Sequence, residues 1–406
     1  MTQPSKKRPT TRLVRAGLET DQQFGAIMPP LVLSSNFSFD DQLERRTYDY
    51  TRSGNPTRDL LGAALADLEG GAAAVVTASG MAALALFAQL LGRDDVLVVP
   101  REVYGGSHRL FHGLAARKAF EVVSVDYRDE AELDAVAARG PTWFWVETPS
   151  NPLLRLTDIA AVVVKARSVG ARVAVDNTFA SPLLQQPLAL GCDLVVHSTT
   201  KYLNGHSDVV GGAVIAREAA LHDEVAWWAN CLGVTGAPFD AFLTLRGLRT
   251  LALRLRAHEE NAACIAERLE ALRAQDGSAV ADVHWPGLTR HADHALARRQ
   301  QRGFGGMLSF ELAEVRGVSD IEVVRAFTRG LTSISVAESL GGVESLIAHP
   351  ATMTHKAMAA EARASAGIGD RLLRLSVGIE DVEDLWAELE AGIARVSRLV
   401  LAPAAS

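Results

Sequence analysis

Two stretches of the chain decide its fold, namely Ala174-Val-Asp-Asn-Thr-Phe-Ala180 and Cys192-Asp-Leu-Val-Val-His-Ser-Thr-Thr-Lys-Tyr-Leu-Asn-Gly-His-Ser-Asp208. The first stretch begins within the apolar run Val173 to Val175, and the second contains the apolar run Leu194 to Val196. Short runs of this kind form buried strands in parallel sheets. Polar residues follow each run at its carboxyl end. Because ligands bind outside the carboxyl ends of strands in open α/β sheets, these polar residues mark a candidate site.

The polar residues carry three kinds of chemical group. The first run is followed by the carboxylate of Asp176, and the second by the hydroxyls of Ser198 and Thr200 and the amine of Lys201. An amine can form a Schiff base with pyridoxal 5′-phosphate (PLP), a carboxylate can hold the proton of its pyridinium, and hydroxyls can bind its phosphate. We therefore predict a PLP site in which Lys201 is the attachment residue.

Each of these residues also has an ordinary structural explanation. A lysine after a strand is usually a solvated charge, Asp176-Asn177 is a common turn pair, and Ser198 or Thr200 can cap a helix. The combination of all these groups after two consecutive strands favours the cofactor site.

Helical and strand patterns alternate along most of the chain, which predicts an α/β fold with a doubly wound, mostly parallel sheet. A smaller α+β region follows. We predict three parts: an extended N-terminal arm over residues 1–51, a PLP-binding α/β domain over 52–247 and a C-terminal α+β domain over 248–406. A long helix from about residue 248 to Leu272, a strand over Val209–Ile215 and a final helix over Val382–Leu399 are expected, with a small-residue tail over Ala402–Ser406.

Composition fits a large globular protein, with 406 residues, 48% of them hydrophobic and 22% charged. The net charge of −7 argues against a nucleic-acid partner. The basic start Lys6-Lys7-Arg8 has no apolar signal core behind it, and no apolar run reaches the ~20 residues of a membrane span. Cys192, Cys231 and Cys264 show no metal or redox spacing. We expect a cytoplasmic protein with no metal site and no membrane partner.

Two further motifs follow strands. Ser79-Gly80-Met81 lies between a strand and a helix, where the first N–H groups of the helix can bind an anion such as a phosphate. Tyr104 follows a strand end and supplies an aromatic ring that can stack on a cofactor.

The chain resembles the Cys/Met-metabolism PLP-dependent enzymes along nearly its whole length. The Ser198-Thr-Thr-Lys201 segment is typical of the family, and Trp227-Trp-Ala-Asn230 and Ala337-Glu-Ser339 point to its γ-synthase branch. The other matching segments are Tyr50-Thr-Arg-Ser-Gly-Asn-Pro-Thr-Arg58, Thr77-Ala-Ser-Gly-Met81, Tyr104-Gly-Gly-Ser-His-Arg-Leu-Phe111, Glu147-Thr-Pro-Ser-Asn-Pro-Leu153, the whole of Asp176 to Gly212, Gly233-Val-Thr235, Ala337 to Leu346 and Leu373-Arg-Leu-Ser-Val-Gly-Ile-Glu-Asp381.

The resemblance implies PLP-dependent transferase fold type I, the aspartate-aminotransferase-like fold, in a homotetramer built as a dimer of dimers with sites shared across the dimer. It also implies a role for each matching residue. Lys201 is the attachment residue and proton shuttle, Asp176 is the partner of the pyridine nitrogen, and Tyr104 stacks on the ring. The phosphate is bound by Gly80, Met81, Ser198 and Thr200, and by Tyr50 and Arg52 from the neighbouring subunit. The substrate α-carboxylate is bound by Arg374 and Asn151, Ser339 positions Lys201, and the candidates for the distal part of the substrate are Arg109, Asn230 and Glu338.

The activity that the resemblance implies is γ-replacement on small amino-acid substrates. An O-acyl-L-homoserine, succinyl or acetyl, would react with L-cysteine to give L-cystathionine in transsulfuration toward methionine, with the succinyl donor favoured. Two alternatives stay open: a sibling reaction, by a cystathionine γ-lyase or an O-acylhomoserine sulfhydrylase, and a catalytically silent scaffold of the same fold.

Overall fold

The computed structural model describes residues 7–356, 358 and 360–401 and divides the chain into two compact units. The first unit consists of the described parts of Met1–Pro100, Gly106–Glu147 and Thr157–Ala252, and the second of those of Arg101–Gly105, Thr148–Leu156 and Leu253–Ser406. Lys6 and the tail Ala402–Ser406 lie outside the described residues. The division into three parts at residues 51 and 247 stays a prediction.

The first unit contains a seven-stranded sheet, as far as the chain is described, and the strands expected at Val173 to Val175 and Leu194 to Val196 are among its members. Its spatial order is β1-β7-β6-β5-β4-β2-β3, and all pairings are parallel except those of β7 with β1 and β6. The strands are β1 Ala73–Thr77, β2 Val96–Pro100, β3 Glu121–Val125, β4 Trp143–Glu147, β5 Arg172–Asp176, β6 Leu194–His197 and β7 Gly212–Ala216.

Helices α1 to α9 belong to this part of the chain, and four of them, α2, α3, α5 and α6, begin at a residue whose side chain caps the first turn. The side chain of Asn55 caps α2 by accepting from the N–H groups of Thr57 and Arg58, and the side chain of Ser79 caps α3 by accepting from that of Ala82. The helices are α1 Pro9–Arg15, α2 Pro56–Glu69, α3 Gly80–Ala88, α4 Gly105–Ala116, α5 Glu130–Ala137, α6 Ile159–Ser168, α7 Ser181–Leu184, α8 Ala219–Leu232 and α9 Pro238–Leu248, with a 3₁₀ turn at Pro187–Leu190.

Aromatic packing fixes α3 and α4 against the sheet. Phe87 of α3 lies 5.9 Å from Phe111 of α4 and 4.9 Å from Trp145 of β4, measured between ring centroids. Ser107 of α4 also donates a hydrogen bond of 2.7 Å to the buried carboxylate of Glu147. The ring contacts fix the C-terminal end of α3 and the middle of α4 on the sheet, and the Ser107 bond fixes the start of α4 at the end of β4.

The second unit is built on an antiparallel sheet with a single short parallel pair, β10 with β11, among its described strands. Its order is β10-β11-β12-β9-β8, and its core packs Phe310 of β9 and Leu373 of β12 with Leu389 of the last helix. The elements are α10 Leu251–Arg273, β8 Val280–His284, α11 His294–Gln300, β9 Met307–Leu312, α12 Asp320–Thr328, β10 Ser335–Val336, β11 Leu346–Ala348, α13 Ala360–Ser365, β12 Leu372–Ser376 and α14 Val382–Leu401. The predicted fold class is confirmed.

Two elements begin later in the chain than expected. The strand predicted over Val209–Ile215 begins at Gly212, because the N–H and C=O of Gly211 bond to the Thr200 hydroxyl instead of to a neighbouring strand. The long helix expected from residue 248 starts at Leu251, after a break in which Thr250 bonds back to Gly247. Within the described ranges, no helix has both the length and the apolar character needed to cross a bilayer.

Candidate active site

Asp176 is the last residue of β5, and parallel pairing sets it beside Val196 of β6, two residues before Ser198. Its carboxylate accepts a hydrogen bond of 2.9 Å from the N–H of Thr178 and a second one from the Thr178 hydroxyl. The same hydroxyl accepts from the N–H of Ser198 at 2.9 Å. Thr178 therefore joins the two strand ends through its side chain.

Burial raises the pKa of the Asp176 carboxyl above its ordinary value. The hydrogen bonds from Thr178 and the electrostatic influence of the nearby His197 and Lys201 oppose this shift. An acidic group in this setting gains stability as an anion when a cation is brought against it. A pyridinium nitrogen is such a cation, so the environment of Asp176 fits the role expected from the sequence.

The segment after β6 brings Ser198, Thr200 and Lys201 together in a tight turn. The N–H of Lys201 donates to the C=O of Ser198 at 3.3 Å, and its own C=O accepts from Gly205 at 2.8 Å. The Thr200 hydroxyl accepts from the N–H of Gly211 at 2.9 Å and donates to its C=O at 3.2 Å. All three side chains are partly exposed, so they are accessible to a ligand.

The start of α3 lies against this segment. A Cβ placed on Gly80 would lie 2.8 Å from the Cβ of Ser198, so only glycine allows the helix start and Ser198 to come this close. The first N–H groups of α3, including those of Gly80 and Met81, have no partners within the helix. Together with the Ser198 hydroxyl they form a set of donors suited to a phosphate.

The donor set as a whole fits PLP. The first unit supplies the amine of Lys201, the buried carboxylate of Asp176, which a cation would stabilise, and the N–H and hydroxyl donors around Gly80. All of these groups lie at the ends of β5 and β6 or at the start of α3.

A second group of predicted residues comes together inside the other unit. Arg374 is 3% exposed in the middle of β12 and donates to the Oδ1 of Asn151 at 2.9 Å and to the C=O of Ser339 at 2.8 Å. Ser339 has a φ of +83°, a left-handed conformation that is unusual for a residue other than glycine. The guanidinium is thus held in a fixed orientation, as a bidentate carboxylate site requires.

The remaining predicted residues are more exposed. Tyr104 precedes α4 and is 42% exposed, Arg109 is exposed on α4, and Glu338 is exposed in the loop after β10. Their assignment to the cofactor ring and to the distal part of the substrate stays a prediction.

Tyr50, Arg52 and Asn230 form one group on the first unit. The Arg52 guanidinium lies 5.6 Å from the centroid of the Tyr50 ring and donates to the backbone C=O of Asn230 at 3.0 Å. Tyr50 is 49% exposed, so this group presents an aromatic ring and a cation at the surface of the chain.

Three residues beside the site were not predicted from the sequence to be part of it. Thr178 bridges Asp176 and Ser198, as described above. In the second unit His355 bonds to the backbone C=O of Asn151 at 3.2 Å, and its burial lowers the pKa of its imidazole to about 4. Glu69 bonds to His197. Only Thr178, in the stretch after Asp176, had a sequence signal that could have found it.

The chain belongs to the Cys/Met metabolism PLP-dependent enzyme family, whose model matches residues 10–394. It has PLP-dependent transferase fold type I, and PLP is its cofactor.

The relatives it resembles include synthases and lyases of cystathionine. It is 53% identical to the cystathionine gamma-synthase of Escherichia coli, over 95% of this chain and 98% of that protein. It is 42% identical to a cystathionine beta-lyase of Coxiella burnetii, over 94% and 97%. Crystal structures of cystathionine gamma synthase from Xanthomonas oryzae, one with aminoacrylate and cysteine and one with cystathionine, match at 57% identity with a TM-score of 0.93, over 97% of this chain and all of theirs.

Replacing Gly212 tests the close packing at the cofactor end of the first unit. A Cβ there would lie 2.2 Å from the C=O of Ser79, so Gly212→Ala should displace the residue that caps α3. We expect the free energy of unfolding to fall by about 1–3 kcal/mol and PLP affinity to drop roughly tenfold. Denaturant unfolding and absorbance titration with PLP would measure both. Gly113→Ala is the control, because nothing lies within 4 Å of a Cβ at that helical position. Native PLP affinity in Gly212→Ala would contradict the prediction.

Proposed function

We propose that the chain catalyses γ-replacement, in which an O-acyl-L-homoserine, preferably the succinyl ester, reacts with L-cysteine to give L-cystathionine and the free acid. The C–O bond at the γ-carbon breaks, the C–S bond forms there, and the thiol proton balances the released carboxylate. The reaction belongs to transsulfuration in methionine biosynthesis. One observation carries the proposal: the chain matches along 97% of its length a cystathionine gamma synthase whose crystal structure holds cystathionine.

Bound PLP supplies an electron sink for negative charge at the α-carbon of an amino acid. The side chains of this chain then have separate tasks. Asp176 holds a proton at the ring nitrogen, Lys201 is the attachment residue and moves protons at the substrate carbons, and Tyr104 stacks on the ring. Gly80, Met81, Ser198 and Thr200 hold the phosphate.

The substrate residues work through hydrogen bonds and charge. Arg374 and Asn151 bind the α-carboxylate, for which the buried, doubly anchored guanidinium of Arg374 is well suited. Ser339 helps position Lys201. Arg109, Asn230 and Glu338 contact the distal part of the substrate.

We also propose that the chain assembles into a homotetramer, a dimer of dimers, and that Tyr50 and Arg52 reach the phosphate in the neighbouring subunit. The support is that the Tyr50–Arg52–Asn230 group is presented at the surface and that apolar side chains such as Leu43 and Trp227, 96% and 59% exposed, stand open in this unit. A cytoplasmic location is proposed because Cys192, Cys231 and Cys264 are free thiols.

Product analysis tests the activity. The purified protein is incubated with O-succinyl- and with O-acetyl-L-homoserine, each with L-cysteine, with sulfide or with no thiol, and separately with L-cystathionine alone. Every product is identified by mass spectrometry. We expect cystathionine whenever cysteine is present, and an elimination product only without it. If the protein instead cleaves cystathionine rapidly and never forms it, the γ-lyase alternative is correct. Turnover with sulfide but not with cysteine would indicate a sulfhydrylase, and no turnover of any of these substrates would indicate a silent scaffold.

Arg109 tests the choice of acyl group. A guanidinium can bind the free carboxylate of a succinyl ester in a bidentate manner, and the acetyl ester has no such carboxylate. Arg109→Ala should therefore lower kcat/KM for the succinyl ester by roughly 10- to 100-fold, through KM, and leave the acetyl ester nearly unaffected. His108→Ala, an exposed neighbour on α4, is the control. An equal loss on both esters would exclude this role.

Mixing two inactive variants tests the shared site. Arg52→Ala and Lys201→Ala chains should each be weak alone. In a mixed dimer one of the two sites receives Lys201 from one chain and Arg52 from the other, and is therefore intact. Since half of randomly paired dimers are mixed, activity should return to roughly a quarter of native. Subunit exchange is followed with differently tagged chains. Exchange without any recovery would mean that Arg52 serves its own chain.

A further inference from the structure

A buried hydrogen-bond network lies next to the proposed cofactor residues and has no part in the reaction described so far. Glu69, the last residue of α2, accepts at Oε1 from the Nδ2 of Asn177 at 2.8 Å and contacts the Nε2 of His197 at 2.6 Å. Gln185 donates to the Oδ1 of Asn177 at 3.0 Å. All four side chains are at most 1% exposed.

The network joins the two strands that carry the site. Asn177 directly follows Asp176 at the end of β5, and His197, the last residue of β6, directly precedes Ser198. The backbone contributes one hydrogen bond between these ends, from the N–H of Asn177 to the C=O of Val196 at 3.0 Å. Glu69 adds a side-chain connection just where the sheet ladder stops.

Burying this network lowers the stability of the fold if the four side chains serve packing alone. Removing a carboxylate and an imidazole from water is unfavourable, and well-packed apolar side chains of similar volume often give equal or greater stability. Within the described residues, the Oε2 of Glu69 and the Nδ1 of His197 are buried and have no hydrogen-bond partner, which adds to the cost. Stability therefore does not explain the network, whereas its position beside Asp176 and Ser198 does.

We propose that Glu69 is a positioning residue of the PLP site, which holds Asp176 and Ser198 at the spacing that the cofactor requires by bonding to Asn177 and His197. The inference rests on the proposed roles of Asp176 at the ring nitrogen and of Ser198 at the phosphate. In this role Glu69 acts through its hydrogen bonds to Asn177 and His197, so the proposal requires its acceptor oxygen and does not require its negative charge.

Two substitutions separate the acceptor from the charge. Glu69→Gln keeps a carbonyl oxygen that can accept from Asn177 and His197. Glu69→Ala removes the acceptor of the His197 Nε2 and leaves the Nδ2 of Asn177 with only the backbone C=O of Gln185. On the purified full chain we expect Glu69→Ala to bind PLP at least about tenfold more weakly and Glu69→Gln to stay within about threefold of native. PLP dissociation constants are measured by absorbance titration, together with the thermal midpoint of the PLP-free protein and the absorbance spectrum of the bound cofactor.

Gln186→Ala is the matched control. Its side chain donates to the C=O of Leu68 at 2.6 Å, so the substitution removes a hydrogen bond at the same end of α2 without touching Asn177 or His197. We expect it to lower the thermal midpoint and to leave PLP affinity unchanged. The proposal is overturned if Glu69→Ala binds PLP with native affinity, or if Gln186→Ala weakens PLP binding as much as Glu69→Ala does.

A second pair of variants keeps the test decisive if Glu69→Ala does not fold. His197→Gln places an amide nitrogen near the position of the Nε2, whereas His197→Ala removes the donor. PLP affinity should be retained in the first and lost in the second, and equal affinities would reject the proposal. Asp176→Asn is measured in parallel. Native PLP affinity and turnover in Asp176→Asn would reject the assignment of Asp176 itself. If Asp176→Asn is impaired but the Glu69 and His197 variants bind PLP normally, only the positioning role is rejected.

Discussion

The parallel pairing of β5 with β6 is the constraint on which the rest of the site depends. Because Asp176 is paired with Val196, the carboxylate that ends one strand and the Ser198–Lys201 turn that follows the other emerge at the same edge of the sheet. A slip of one residue in this register would turn Asp176 toward the opposite face. The apolar strands around this pair fix the register, since each residue from Val173 to Val175 is buried.

The same arrangement buries the carboxylate of Asp176, and neighbouring residues counteract the effect of this burial on its charge. Asp176 is placed where burial favours its protonated form, yet it is proposed to act as an anion. Two hydrogen bonds from Thr178 and the electrostatic influence of Lys201 and His197 all favour the ionised form of Asp176. The protein thus prepares the carboxylate before any cofactor cation arrives, and the chemistry expected of Asp176 depends on residues that the cofactor does not touch.

The sequence predicted the strand series and the residues at the strand ends because both depend on local patterns. Buried parallel strands are continuous apolar runs, and the groups that suit PLP follow them directly, as Asp176 and Lys201 do. The family resemblance extended this to Arg374 and Asn151, which the structure brings into contact. Glu69 could not be found in this way. It lies 128 positions from His197, and its role depends on a tertiary contact that no local pattern records. The start of β7 was missed because Gly211 bonds to a side chain, which strand propensity does not consider.

The anchoring of Arg374 has a consequence for the thermodynamics of its proposed contact with the substrate carboxylate. A flexible surface arginine must lose rotamer freedom when it captures a carboxylate, and that ordering weakens the complex. Arg374 has already lost this freedom during folding, because Asn151 and Ser339 hold its guanidinium within β12 and the left-handed backbone of Ser339 presents its carbonyl. An amino acid that meets this guanidinium therefore encounters a preorganised receptor. Its carboxylate should bind with a favourable enthalpy and little entropic penalty from the protein, and the affinity of this end of the substrate is largely determined when the second unit folds.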